Sequence, residues 1–90
     1  MPKAKIRFQE TPNPHAGKFT VGRTVVEGRR GVTFGSPEAA RGNAAAERLF
    51  AEPGVRSVFM VDDFVTVTKE PGADWGELAP RVTAALREAL

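Results

Sequence analysis

This chain has no cysteine and no tyrosine, and it has one histidine and one tryptophan. Without cysteine, these residues offer no disulfide, no thiolate nucleophile, no zinc–cysteine site and no cysteine ligand for an iron–sulfur cluster. The absence fits a reducing compartment. No run approaches the roughly 20 apolar residues of a membrane span. No apolar stretch follows the start Met-Pro-Lys-Ala-Lys, so no signal peptide and no membrane are expected, and a cytoplasmic location is the default. Serine occurs only at positions 36 and 57, one a helix cap and one in a strand, with no base nearby in sequence. His15 stands alone beside prolines, without the partners that metal-ligand spacing requires. Gly22, Gly28, Gly31 and Gly35 match neither G-x-G-x-x-G nor a Gly-Lys-Ser/Thr ending, so they read as turns rather than a phosphate cradle. Asp62 and Asp63 are adjacent, but a hairpin tip gives exposure and not the cleft that paired carboxylates need. No catalytic residue, metal or cofactor is therefore expected, and the chain is not expected to be an enzyme.

Ninety residues of 41% hydrophobic composition suit a single domain, 1–90, with one core between two layers. A domain this small buries only about 60% of its unfolded surface. A deep cavity would have to be carved from that core, so function is expected on the outside. The net charge of +2 is unevenly spread: residues 1–45 hold eight Lys/Arg against three Asp/Glu, and residues 46–90 hold five against eight. Lys18, Arg23, Arg29 and Arg30 could form a basic face for an acidic partner. A small basic nucleic-acid-binding module using Arg23, Arg29, Arg30 and Arg41 is the alternative function. The aromatic interleaving of base-stacking modules is missing, which disfavours it.

The segment KIRFQE alternates, with Ile6 and Phe8 on one side, and KFTVG repeats the pattern with Phe19 and Val21 inward. Between them, Pro12 and Pro14 fix their own φ and push Thr11 and Asn13 toward extended geometry. Asn13 suits a local turn. The stretch thus reads as a stiffened connection between two strands. A loop or weak edge strand follows, then a third strand ending near Phe34. Ser36, Pro37 and Glu38 predict a helix start, Gly42 an interruption, and Asn43 a second cap. Ala45, Ala46, Leu49 and Phe50 supply its buried stripe, and Pro53 with Gly54 ends it. Two β-rich runs, 55–61 and 64–69, flank Asp62 and Asp63 as a hairpin whose turn is expected to exceed two residues. Val65 and Val67 should pack on helices, and Phe64, Thr66 and Thr68 should face solvent. Asp74 and Glu77 open the last helix in capping-box spacing. Pro80 is expected to end its first turn. Trp75, Leu78, Val82, Leu86 and Ala89 form its core stripe. The resulting fold class is α+β, a two-layer sandwich of order β-β-β-α-β-β-α. Its sheet is mixed or antiparallel, with both helices on one face.

The segments TPNPHAGKFTVG, RLFAEPGVRSVFMVDDFVTVTKE and DWGELAPRV resemble the N-terminal domain of the Nfu/NifU-type iron–sulfur scaffold proteins over about residues 6–88. That family reads T-P-N-P-N, then K-F, then L-F-x-x-x-G-V-x-x-V-F, D-F-[IV]-T-V-[TS]-K, and D-W before a final helix. The resemblance implies a small α+β fold and a link to iron–sulfur cluster assembly or delivery. In full-length members a separate C-terminal domain with C-x-x-C holds the cluster, and this chain resembles stand-alone versions taken to act by protein interaction. Two positions depart from the pattern: His15 replaces the second asparagine, and Gly17 replaces a bulky residue. The expected function is a non-enzymatic protein-interaction module. Its expected partners are iron–sulfur assembly or client proteins. The expected partner-binding residues are Thr11, Pro12, Asn13, Pro14, Lys18, Phe64, Thr66 and Thr68.

Overall fold

The structure is a computed structural model describing residues 6–22, 31–61 and 63–89. Among these residues five strands form one sheet: β1 (Arg7–Glu10), β2 (Ala16–Thr20), β3 (Val32–Phe34), β4 (Val55–Val61) and β5 (Phe64–Lys69). Two helices join them, α1 (Ala44–Phe50) and α2 (Trp75–Ala89). The spatial order is β1-β2-β5-β4-β3 and every neighbouring pair is antiparallel. This is the α+β order expected, with the mixed-sheet option removed.

Alternation decides which face is covered. Phe19 and Val21, Phe34, Val58 and Met60, and Val65 and Val67 are buried in one cluster. Ala45, Ala46 and Leu49 of α1 and Leu78, Ala79, Val82, Ala85 and Leu86 of α2 join the same cluster. Both helices therefore lie on one face of the sheet. Each fully buried Val or Leu contributes about 1.5–3 kcal/mol. Arg48 ties the helices on the outside: its Nη1 is 2.8 Å from Glu52 Oε1 and its Nε is 2.9 Å from Glu88 Oε2. These two carboxylates raise the Arg48 pKa.

Three local expectations are corrected. Residues 36–42 make turns, not α-helix. Ser36 Oγ accepts from Ala39 N, and Ala40 N is shared between the Ser36 and Pro37 carbonyls. Gly42 then takes φ +92°, a left-handed conformation that stops any propagation. Asn43 starts the helix instead, its Oδ1 accepting from Ala46 N at 3.0 Å. Pro80 does not end the first turn, because α2 runs through it unbroken. Pro80 is exposed, and the roughly 3 kcal/mol cost of an interior proline is offset by Leu78 and Val82, buried on either side of it. The hairpin turn does not exceed two residues, since Val61 pairs directly with Phe64. Asp62 itself lies outside the described residues, as do Arg23, Arg29 and Arg30.

Leu49→Ala is expected to lower unfolding free energy by about 2–5 kcal/mol, since Leu49 is fully buried between the helices and the sheet. Asn43→Ala should cost about 1 kcal/mol through the lost cap. Urea denaturation measures both, and an Asn43→Ala midpoint equal to wild type would show that the cap does not hold α1.

Candidate functional site

The β1–β2 hairpin is closed by residues 11–15, and that loop is fastened from within. Thr11 Oγ1 lies 2.9 Å from the Asn13 carbonyl and 3.0 Å from that of Ala16, and accepts from Asn13 N at 3.1 Å. Asn13 Oδ1 accepts from His15 N at 2.9 Å, and its carbonyl accepts from Ala16 N at 3.0 Å. These are side-chain turns of the kind Thr and Asn form, laid over two prolines with fixed φ. The loop is also fastened from outside. Trp75 Nε1 donates to the Pro14 carbonyl at 3.1 Å, and Lys69 N donates to that of His15 at 2.7 Å. Pro12, Asn13, Pro14 and His15 are left exposed on a fixed frame.

Trp75 reaches this loop because Gly17 makes room. A Cβ on Gly17 would stand 2.5 Å from Phe8 Cε1 and 3.0 Å from the Trp75 ring. Phe8 packs with its centroid 5.1 Å from Phe19 and 5.2 Å from Trp75, both tilted. The rings thus occupy the space that the bulky residue of the family pattern would take. Beside them lies a groove of about 170 Å³ lined by Glu10, Pro12, Asn13, Pro14 and Trp75 among others.

The remaining expected residues lie on the other face of the sheet. Register places Lys18 beside Thr66, Thr20 beside Phe64, and Ala16 beside Thr68. Across β4, Phe59 pairs with Thr66 and Val61 with Phe64. Lys18 Nζ sits 4.5 Å from the centroid of the Phe64 ring, a contact worth about 0.5–1 kcal/mol. Lys18, Phe64, Thr66 and Thr68 are half-buried, so this face is less open than expected. The eight expected residues accordingly divide in two. Thr11, Pro12, Asn13 and Pro14 share the loop with Trp75, whereas Lys18, Phe64, Thr66 and Thr68 share the face opposite the helices, with Phe64 at the end of β5 away from the loop.

Two contributors were not anticipated. The helical spacing puts Trp75 on the core stripe, yet it is half-buried and its indole proton is committed to the loop. A tryptophan at the first position of a helix is a recoverable signal, because a packed indole N–H seeks an acceptor. Lys69 continues the Val65 and Val67 side of β5 and is only 8% exposed. Its stem is covered in the manner of a snorkelling lysine.

Arg41 is exposed, in the turn before α1. Among the described residues, no group of three or more His, Asp or Glu could hold a metal ion. Among the described residues, no helix is long and apolar enough to cross a membrane. An iron–sulfur cluster takes thiolate or imidazole ligands. These residues include no cysteine and one histidine, and Met60 is sealed in the core. The donor set does not fit such a cluster.

A five-stranded antiparallel sheet with two helices on one face and a proline-framed loop clasped by tryptophan defines the class of molecule. Residues 6–90 match the family described as "Scaffold protein Nfu/NifU N terminal", and the chain belongs to that family. It is 43% identical over 84 residues to the human "NFU1 iron-sulfur cluster scaffold homolog, mitochondrial", covering 92% of this chain and 33% of that protein. It is 38% identical over 90 residues to a NifU-like protein of Schizosaccharomyces pombe, covering 94% and 33%. The chain thus spans about a third of the curated relatives it matches. Among solved structures, it superposes on the crystal structure of protein SAV1430 from Staphylococcus aureus with a TM-score of 0.79 at 33% identity. That match covers 90% of this chain and 96% of that one. The solution structure of a NifU-like protein from Saccharomyces cerevisiae gives 0.79 at 27% identity, covering 96% and 77%.

Gly17→Ala is expected to destabilise by about 1–3 kcal/mol through overpacking against Phe8 and Trp75. Trp75→Phe should cost about 1 kcal/mol through the lost bond to Pro14. Both are read from thermal or urea unfolding, and a Gly17→Ala protein as stable as wild type would mean the rings do not crowd that position.

Proposed function

We propose that this chain is a non-enzymatic protein-interaction module, accessory to iron–sulfur cluster assembly or delivery, that works as one unit over residues 1–90 and does not itself bind a cluster. The observation that carries the reading is the fastened loop. Pro12, Asn13 and Pro14 are exposed, yet their backbone is held by Thr11, Asn13, Trp75 and Lys69. A surface already fixed loses little conformational entropy when a partner docks. The face opposite the helices adds a second area, where Lys18 stands over Phe64 among Thr66 and Thr68. Membership of the scaffold family supplies the biological direction, and the ill-fitting donor set argues for contact with cluster-handling proteins over cluster ligation. The cytoplasmic location expected from the sequence belongs to this proposal. The word mitochondrial describes the relatives.

The test is affinity capture from lysate with wild type and with a Pro12→Ala, Lys18→Ala double variant. Iron–sulfur assembly or client proteins, identified by mass spectrometry, should co-purify with wild type and fall about tenfold with the variant, the loss produced by ~1.4 kcal/mol. Equal recovery with both proteins, or no such protein with either, overturns the reading.

A further inference from the structure

The groove beside Trp75 opens at the end of a strand that has a neighbour on one side only. β1 closes one end of the sheet order, and among the described residues no strand pairs with its outer side. Ile6 and Phe8 pack against the core but remain half-buried, and Glu10 shares their side of the strand by alternation. A strand added outside β1 would cover Ile6 and Phe8 and would bring one of its side chains next to Glu10.

The chemistry of the groove narrows what that side chain can be. At about 170 Å³ it is smaller than the roughly 300–1,000 Å³ of small-molecule sites, and suits a single long side chain. Most of its polar groups are already in use. The Thr11 hydroxyl, Asn13 Oδ1 and Trp75 Nε1 all bond within the protein. Glu10 is different: among the described residues its carboxylate enters no ion pair. The groove therefore offers a carboxylate, an indole and two prolines. A cation with an apolar or planar body complements that set, and an anion is repelled. Guanidinium meets it better than ammonium, since it pairs with a carboxylate through two parallel bonds and stacks on aromatic rings.

We propose that the outer edge of β1 takes up an extended, arginine-bearing segment of a partner protein as a sixth strand, with the arginine seated between Glu10 and Trp75. Main-chain bonds to β1 supply the affinity and the groove supplies the choice of side chain. Antiparallel addition, matching the rest of the sheet, places the residues opposite Glu10, Phe8 and Ile6 in that order along the incoming segment. The recognised pattern is then Arg-x-Φ-x-Φ, where Φ is apolar. This deepens the interaction-module reading and rests on it by naming the chemistry of one partner.

Trp75 is the only tryptophan, so its fluorescence reports occupancy. The probe is the blocked peptide Ac-Arg-Thr-Val-Thr-Val-NH2, titrated into the purified chain. A saturable change in emission is expected, with Kd below about 1 mM. Replacing arginine by citrulline, which keeps the shape and removes the charge, should weaken binding about tenfold. Glu10→Gln should do the same, and the two changes together should cost little more than either. Glu38→Gln, an exposed carboxylate in the turn before α1, is expected to bind like wild type. The backbone N–H and C=O groups of Arg7 and Gln9 face β2 and those of Ile6, Phe8 and Glu10 face outward, so N-methylation of both peptide valines removes main-chain donors to β1 and should abolish binding. No saturation, equal affinity for arginine and citrulline, or undiminished binding of the N-methylated peptide each overturns the proposal. Circular dichroism verifies that Glu10→Gln is folded. Because the assay uses a synthetic peptide, its failure leaves the lysate capture through Pro12 and Lys18 standing, and the two readings fail separately.

Discussion

The indole of Trp75 lies against Gly17 and Phe8 and gives its proton to the carbonyl of Pro14. One side chain at the first position of α2 thus joins the last helix to the first hairpin, touching both its strands and the proline-framed loop that closes it. The packing requires Gly17, because any Cβ there would meet both rings. The hydrogen bond requires that the Pro14 carbonyl point inward, which the turns made by Thr11 and Asn13 arrange. Packing and polar contacts are mutually supportive here, and consistency of this kind is what gives a short chain one stable shape.

From this arrangement the molecule divides into two kinds of surface. The helix-covered face of the sheet is committed to the core, from Phe19 and Val21 through Val65 and Val67 to Val58 and Met60. The other face and the hairpin end lie outside that core. A chain of 90 residues has little apolar material left over for an enclosed site, and the groove beside Trp75 is of side-chain size rather than substrate size. At this end the described residues present fixed prolines, an indole, a carboxylate and a strand edge that no described strand pairs with.

Most of the fold was legible in the sequence. Strict alternation in IRF, KFTV and FVTVTK set the strands and their buried sides, and the stripe of Leu78, Val82 and Leu86 set α2. The elements that were harder to read involved competition between a local signal and its surroundings. Ser36 and Pro37 look like a helix start, but the left-handed Gly42 cuts that turn off and Asn43 takes over. Pro80 looks like a break, but buried neighbours on both sides carry the helix through. The candidate site was legible as residues and not as geometry. Thr11 to Pro14 and Lys18, Phe64, Thr66 and Thr68 were picked out, yet only the strand register shows that they fall on separate surfaces. Trp75 and Lys69 were hidden because each looks like core or sheet by spacing, while their roles at the loop depend on contacts across 61 and 54 residues of chain.

The rigidity of the 11–15 loop is the central claim, and backbone 15N relaxation tests it most directly. Thr11, Asn13 and His15 carry amide protons, while Pro12 and Pro14 carry none. If the clasp holds as described, the order parameters of these three amides match those of β2, near 0.85. Values below about 0.6 would show a loop that moves freely on the nanosecond timescale, and would contradict a preformed surface at this end of the molecule.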